Sequence, residues 1–113
     1  MGPERSAELV ALWLSTLSDR VEAIHAAAAM HDRAGLADAA HNLRGSAAHL
    51  GALQLADSCR AVEHLLRAGT PTDDLVEAVR RVEQDARDAG DALRRTDIAQ
   101  LVGRQSDEWS PLS

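Results

Sequence analysis

Apolar residues recur along this chain at spacings of three and four, the periodicity of helices with one face turned inward. Leu9, Val10, Trp13, Leu14, Leu17, Val21, Ile24 and Ala28 carry the pattern to about Met30. The polar run Ser15-Thr16-x-Ser18-Asp19 is placed to split this segment into a short helix and a longer one. After Gly35 the pattern resumes at Leu36, Ala40, Leu43, Ala47 and Leu50, and Gly51 marks a turn. Leu55, Cys59, Val62 and Leu66 define a third segment over 52–67, which Gly69 closes. Thr70-Pro71-Thr72-Asp73 offers a cap, a proline at the first helical position and an acid in the first turn. A last long helix is predicted from Pro71 to Leu93, with Leu75, Val79, Val82, Ala86, Ala89 and Leu93 as its narrow inward stripe. No strand-like alternation and no internal repeat is present. The expected architecture is all-α: an antiparallel four-helix bundle with a short additional N-terminal helix, spanning residues 1–102. From Gly103 the chain turns polar, with Trp109 isolated before Pro111, so 103–113 is predicted to be a disordered tail or linker.

Composition narrows the possible roles. At 113 residues the chain suggests one domain with a single core and no room for a separate catalytic domain beside it. It is 45% hydrophobic, much of that alanine, and its only aromatics are Trp13 and Trp109. Helices packed closely through small side chains suit that composition. A net charge of −6 and the lack of an aromatic platform argue against nucleic acid as a partner. No apolar run reaches the roughly 20 residues of a membrane span, and the N-terminus has no charged-then-apolar signal, so a cytoplasmic protein is expected. Cys59, the only cysteine, falls in an apolar register and reads as a small core residue.

The segment with chemical content is Ala40 to Ala52. At about 100° per residue, Leu36, Ala40, Leu43, Ala47 and Leu50 fall within a stripe roughly 80° wide. His41 lies about 140° from the centre of that stripe and Gly45 directly opposite it. His41 is therefore predicted to face solvent. Helical side chains lean toward the N-terminus, so the side chain absent at Gly45 is the one that would have covered the imidazole. An exposed helix-interior glycine costs about 1 kcal/mol relative to alanine, and access of a bulky reactant to His41 is a reason to keep it.

The residues His41-x-Leu43-Arg44-Gly45-Ser46-Ala47, followed by Leu50-Gly51, resemble the signature H-x-[LI]-[KR]-G-[SA]-[SA]-x-x-[LIVF]-G of histidine-containing phosphotransfer (HPt) domains. The likeness extends upstream through Leu9 to Leu17 and downstream through Leu55, Cys59 and Glu63, covering about ninety residues. It implies a phosphoryl carrier of a multistep two-component phosphorelay, with no ATP-dependent kinase activity of its own. His41 would take a phosphoryl group, on Nε2, from an aspartyl phosphate on a receiver domain and pass it to a second receiver. The implied partners are receivers of response regulators or of a hybrid histidine kinase; no intrinsic cofactor is implied, and Mg²⁺ would come with the receiver. Ala37, Asp38, Arg44 and Ala48 are the candidate docking residues around His41. A monomer is expected, since one exposed histidine suffices and the apolar stripes can be satisfied within one chain.

The chemistry suits the residues. A neutral imidazole with an ordinary pKa near ~6.5 is a competent nucleophile that divides one transfer into two. Arg44, one turn on, offers a fork of donors for phosphoryl oxygens, and no acid stands three or four residues from it along the helix. Asp38, at i−3, is a candidate hydrogen-bond partner for the Nδ1 of His41. Ser46 reads as a tolerated small residue or a hydroxyl bonding back to the helix. Histidines 25, 31, 49 and 64 lack the i, i+4 spacing of helical zinc ligands, so no metal site is expected. Two other readings share part of the pattern. The dimerisation helix of a histidine kinase shares His-x-Leu-Arg, but its motif has an acid after the histidine and a proline at the end, where this chain has Asn42 and Ser46. A helical adaptor would keep the fold without phosphoryl chemistry.

Overall fold

The computed structural model describes the backbone of residues 3–109 and the side chains of residues 8–95. Among the described residues there are four α-helices: α1 Pro3–Ala29, α2 Arg33–Leu50, α3 Leu53–Arg67 and α4 Val76–Trp109. Each packs on its neighbours in sequence, and α1 also packs on α4, which closes the ring of a four-helix bundle. Short links at 30–32 and 51–52 turn the chain back between α1, α2 and α3, and a longer one over 68–75 leads into α4.

The predicted break in the first helix does not occur; α1 is continuous and there is no separate short N-terminal helix. Ser15, Ser18 and Asp19 lie exposed on the outer face, while Leu17, Val21 and Ile24 continue the inward stripe across them. Packing against α4 outweighs the weak helix preference of these polar residues. The approach is close: a Cβ at the buried Gly90 of α4 would stand 3.4 Å from Leu14 Cδ2.

Helix α2 starts earlier than the pattern suggested. Asp32 is its N-cap and accepts a hydrogen bond of 2.9 Å from the Gly35 amide, which makes Gly35 part of the first turn rather than the loop. A Cβ at Gly35 would overlap the Asp32 carboxylate, so the glycine permits the cap. At the other end, Gly51 adopts φ +76° while its amide and that of Ala52 bond the Ala48 and Ala47 carbonyls at 3.1 and 2.8 Å. This paired closure satisfies carbonyls that the helix end would otherwise leave open. Helix α1 closes the same way, with His31 in the left-handed position at φ 53°. Histidine visits that region more often than most residues.

The last helix also differs from expectation at its start. Thr72–Leu75 is a 3-10 turn and the α-helix begins at Val76, although Leu75 is buried as predicted. The helix continues to Trp109, beyond Leu93 and into the segment expected to be a disordered tail or linker. The Trp109 side chain and residues 110–113 lie outside the described residues.

The core is drawn from the stripes read from the sequence: Leu17, Ile24, Leu36, Ala40, Leu43, Ala47, Leu55, Cys59, Val62, Leu75, Val79, Val82 and Ala86 are buried, together with Ala56, while Leu50, Leu66, Ala89 and Leu93 of the same stripes are only partly buried. Alanines on α2 let α1 and α3 approach it closely. Leu9 is half exposed, and Trp13 is half-buried with its ring 5.7 Å from that of His49. Among the described residues no helix is long and apolar enough to cross a membrane.

Cys59 is fully buried, and desolvation raises its thiol pKa from the ordinary 9.0 to about 12, with the nearby Glu63 carboxylate adding to the rise. Well below pH 9 the thiol is neutral in both folded and unfolded chains and contributes no pH dependence. Above it the unfolded thiol ionises and the folded one does not, so stability is expected to fall as pH climbs from about 9 toward 12. Denaturant midpoints measured across that range should show the slope, and Cys59→Ala should reduce it; an unchanged slope in the variant would assign the loss to other groups.

Candidate functional site

Helix α2 presents His41, Arg44 and Gly45 on one side because its stripe from Leu36 to Ala47 is held in the core. The His41 side chain is 65% exposed. Glu63 on α3 reaches it across the groove between the two helices. Its carboxylate oxygen Oε1 lies 3.3 Å from His41 Nδ1, and Oε2 lies 2.7 Å from Arg44 Nε. Arg44 completes the triangle by placing a terminal guanidinium nitrogen 2.9 Å from the same Nδ1. Glu63 is the buried member, with 10% of its side chain exposed, against 31% for Arg44. Nε2 of His41, by contrast, has no hydrogen-bond partner among the described residues, and it is the ring nitrogen presented to an incoming group.

The contact between Arg44 Nε and Glu63 Oε2 is close in distance but lacks the alignment of a directed hydrogen bond, so both buried atoms keep unused hydrogen-bonding capacity. An acid this buried requires a compensating charge, and Arg44 supplies it.

Gly45 is exposed, and a Cβ built there would meet nothing within 4 Å. No intramolecular packing requires the glycine. Ala37 is half-buried beside His41, where Arg33, Ala34, Ala37, Leu66 and Arg67 form a shallow concavity with the triangle. Arg33 does not project freely there: it donates to the carbonyls of Leu66, at 3.0 Å, and Thr70, tying the start of α2 to the end of α3. Asp38 and Ala48 are exposed on α2.

Two expectations about the site change. The partners of Nδ1 are Glu63 and Arg44, not Asp38. Arg44 is not an unpaired cation either, because its acid comes from another helix, 19 residues on, where rules for neighbours along one helix do not look. A signal for Glu63 was present in the sequence: it stands four residues after Cys59 and one after Val62, on the inward side of α3, where an acid needs a partner. Three of the remaining histidines are engaged elsewhere, and His64 is exposed on α3. His25 pairs with Glu83 at 3.0 Å, His31 bonds Thr72, and His49 lies against Trp13. No cluster of three or more His, Cys, Asp or Glu suited to a metal occurs among the described residues.

The Hpt domain family model matches residues 8–103, and the chain belongs to this family, the phosphotransfer domains of two-component phosphorelays. It is 33% identical over 87 residues to Sensor protein GacS of Pseudomonas syringae pv. syringae, a match covering 73% of this chain and 10% of GacS. The chain thus spans about a tenth of that relative's length. Its fold is similar to the crystal structure of the HPT domain from a sensor hybrid histidine kinase of Shewanella, with a TM-score of 0.69 and 24% identity over 79% of this chain and 76% of that one.

Proposed function

We propose that His41 is the phospho-acceptor and that it carries a phosphoryl group between receiver domains. The observation that carries this reading is the arrangement around the imidazole: Nδ1 is engaged by groups of α2 and α3, Nε2 is unpartnered, and the place where residue 45 would shield the ring is empty. In the transfer, the Nε2 lone pair forms a bond to phosphorus while the bond between phosphorus and the receiver's aspartate oxygen breaks, the pair leaving with that carboxylate. The ring gains positive charge as the bond forms. Glu63, buried behind Nδ1, is placed to stabilise that charge, and it fixes the ring's orientation from the side away from the reactant. Arg44 supplies a guanidinium to the phosphoryl oxygens. The receiver brings Mg²⁺, and the small residues Ala37, Gly45 and Ala48 leave room for it to dock beside His41.

Such a domain needs no nucleotide site, and no Gly-rich phosphate loop occurs in the sequence. The test is to incubate the protein with a panel of receivers charged by acetyl phosphate. Acid-labile, base-stable label on this chain is expected with at least one receiver, and none with ATP alone. Labelling by ATP and a kinase core only, with a stable dimer in sedimentation, would instead favour a kinase dimerisation helix; no label with any donor would favour an adaptor.

A further inference from the structure

The two contacts to Nδ1 cannot both be hydrogen bonds of one ring. The guanidinium of Arg44 can only donate, so its 2.9 Å contact requires an unprotonated Nδ1 and puts the neutral ring's proton on Nε2. The ionised carboxylate of Glu63 can only accept, so its 3.3 Å contact requires a proton on Nδ1 and leaves the lone pair on Nε2. We propose that Arg44 and Glu63 compete for Nδ1 of His41, and that the winner decides whether Nε2 is a nucleophile. The chemical consequence rests on the phosphotransfer reading; the competition itself does not.

In the free domain Arg44 holds the advantage. Its contact is the shorter, whereas 3.3 Å is at the long end for a hydrogen bond. Glu63 is also weakened as an acceptor toward the ring, because its other oxygen faces Arg44 Nε at 2.7 Å. The resting tautomer therefore carries its proton on Nε2 and cannot attack phosphorus there. An arriving phosphoryl group changes both terms at once. Its anionic oxygens draw the guanidinium away from Nδ1, and Glu63 loses its counter-charge and becomes the stronger acceptor. Nδ1 then takes a proton from water while Nε2 gives one up to water, so the ring's proton count is unchanged and the lone pair appears on the exposed nitrogen. The 65% exposure of the His41 side chain gives water access to the ring. The unaligned Arg44 Nε and Glu63 Oε2 mean that opening the triangle sacrifices a charge contact but no well-directed hydrogen bond between them. Arg44 thus acts as a positioning residue that suppresses reactivity until its natural competitor, a phosphoryl group, is present.

The test is nitrogen NMR of protein labelled at the histidine ring nitrogens, at a pH where the ring is neutral. In the parent the proton is expected mainly on Nε2. Arg44→Met keeps the apolar stem but removes the donor, and it should invert the ratio toward the Nδ1-protonated form, by on the order of tenfold for the loss of one charged hydrogen bond. Arg44→Ala should do the same, and guards against a folding defect peculiar to methionine. Glu63→Ala should keep the parental tautomer. A parent already protonated on Nδ1, or an Arg44→Met ratio equal to the parent's, would overturn the proposal. The readout separates it from the carrier reading: inversion without labelling by any receiver supports the competition and removes the carrier role, whereas labelling without inversion does the reverse.

Discussion

His41→Gln is expected to abolish receiver-dependent labelling entirely while the protein stays folded. Glutamine is a good helix former at an exposed helix position, and the polar partners of the His41 side chain, Arg44 and Glu63, already pair with each other. The change in melting temperature should be small, within the roughly ±0.5 kcal/mol of most surface substitutions. Glutamine has no nucleophilic nitrogen, so activity has no residual route through this position. The other histidines provide an internal control: His25 pairs with Glu83, His31 with Thr72, and His49 lies against Trp13, all away from the His41–Arg44–Glu63 group. Persistent label in the variant, with circular dichroism unchanged, would move the acceptor to another histidine and remove the assignment of His41.

The second large effect should come from Gly45, where stability and activity are expected to move in opposite directions. A Cβ there meets open space, so Gly45→Ala should stabilise the bundle by about 1 kcal/mol through helix propensity alone. For a domain of this size that is a rise of about 4–8 °C in melting temperature. Gly45→Gln should be similarly stable, but its side chain leans back one turn toward the imidazole and into the volume a receiver must occupy. Transfer should slow by on the order of tenfold to a hundredfold, because displacement of the reacting groups by an ångström is enough to cost that much. Gly45→Ala, which adds only a methyl group, should fall between parent and Gly45→Gln. Thermal melts and single-turnover transfer on the same three proteins decide the matter. A Gly45→Gln protein with a raised melting temperature and parental transfer would show that access to His41 does not explain the glycine.

These two variants bear on different layers of the molecule. In the proposed carrier, His41 would do its chemistry on a surface, and Gly45 would be stability forgone so that the surface stays reachable. Within the described part of this chain a Cβ at Gly45 meets only open space.

The sequence by itself determined the helical class, the register of each inward stripe and the outward position of His41. Those properties follow from periodicity, and periodicity is local: once Leu36, Ala40, Leu43 and Ala47 turn inward, residue 41 has to face out. The sequence misjudged what depends on neighbours from other helices. Ser15 to Asp19 has the composition of a break, yet packing of Leu14 and Leu17 against Gly90 of α4 carries the helix through it. Tertiary structure alone decided the electrostatics of the site as well. Glu63 stands 22 residues from His41 and is brought within 3.3 Å only when α3 docks against α2. Charge interactions reach across space and not along the chain, so an arginine with no acid on its own helix can still be paired, and an exposed histidine can have one nitrogen committed and the other free.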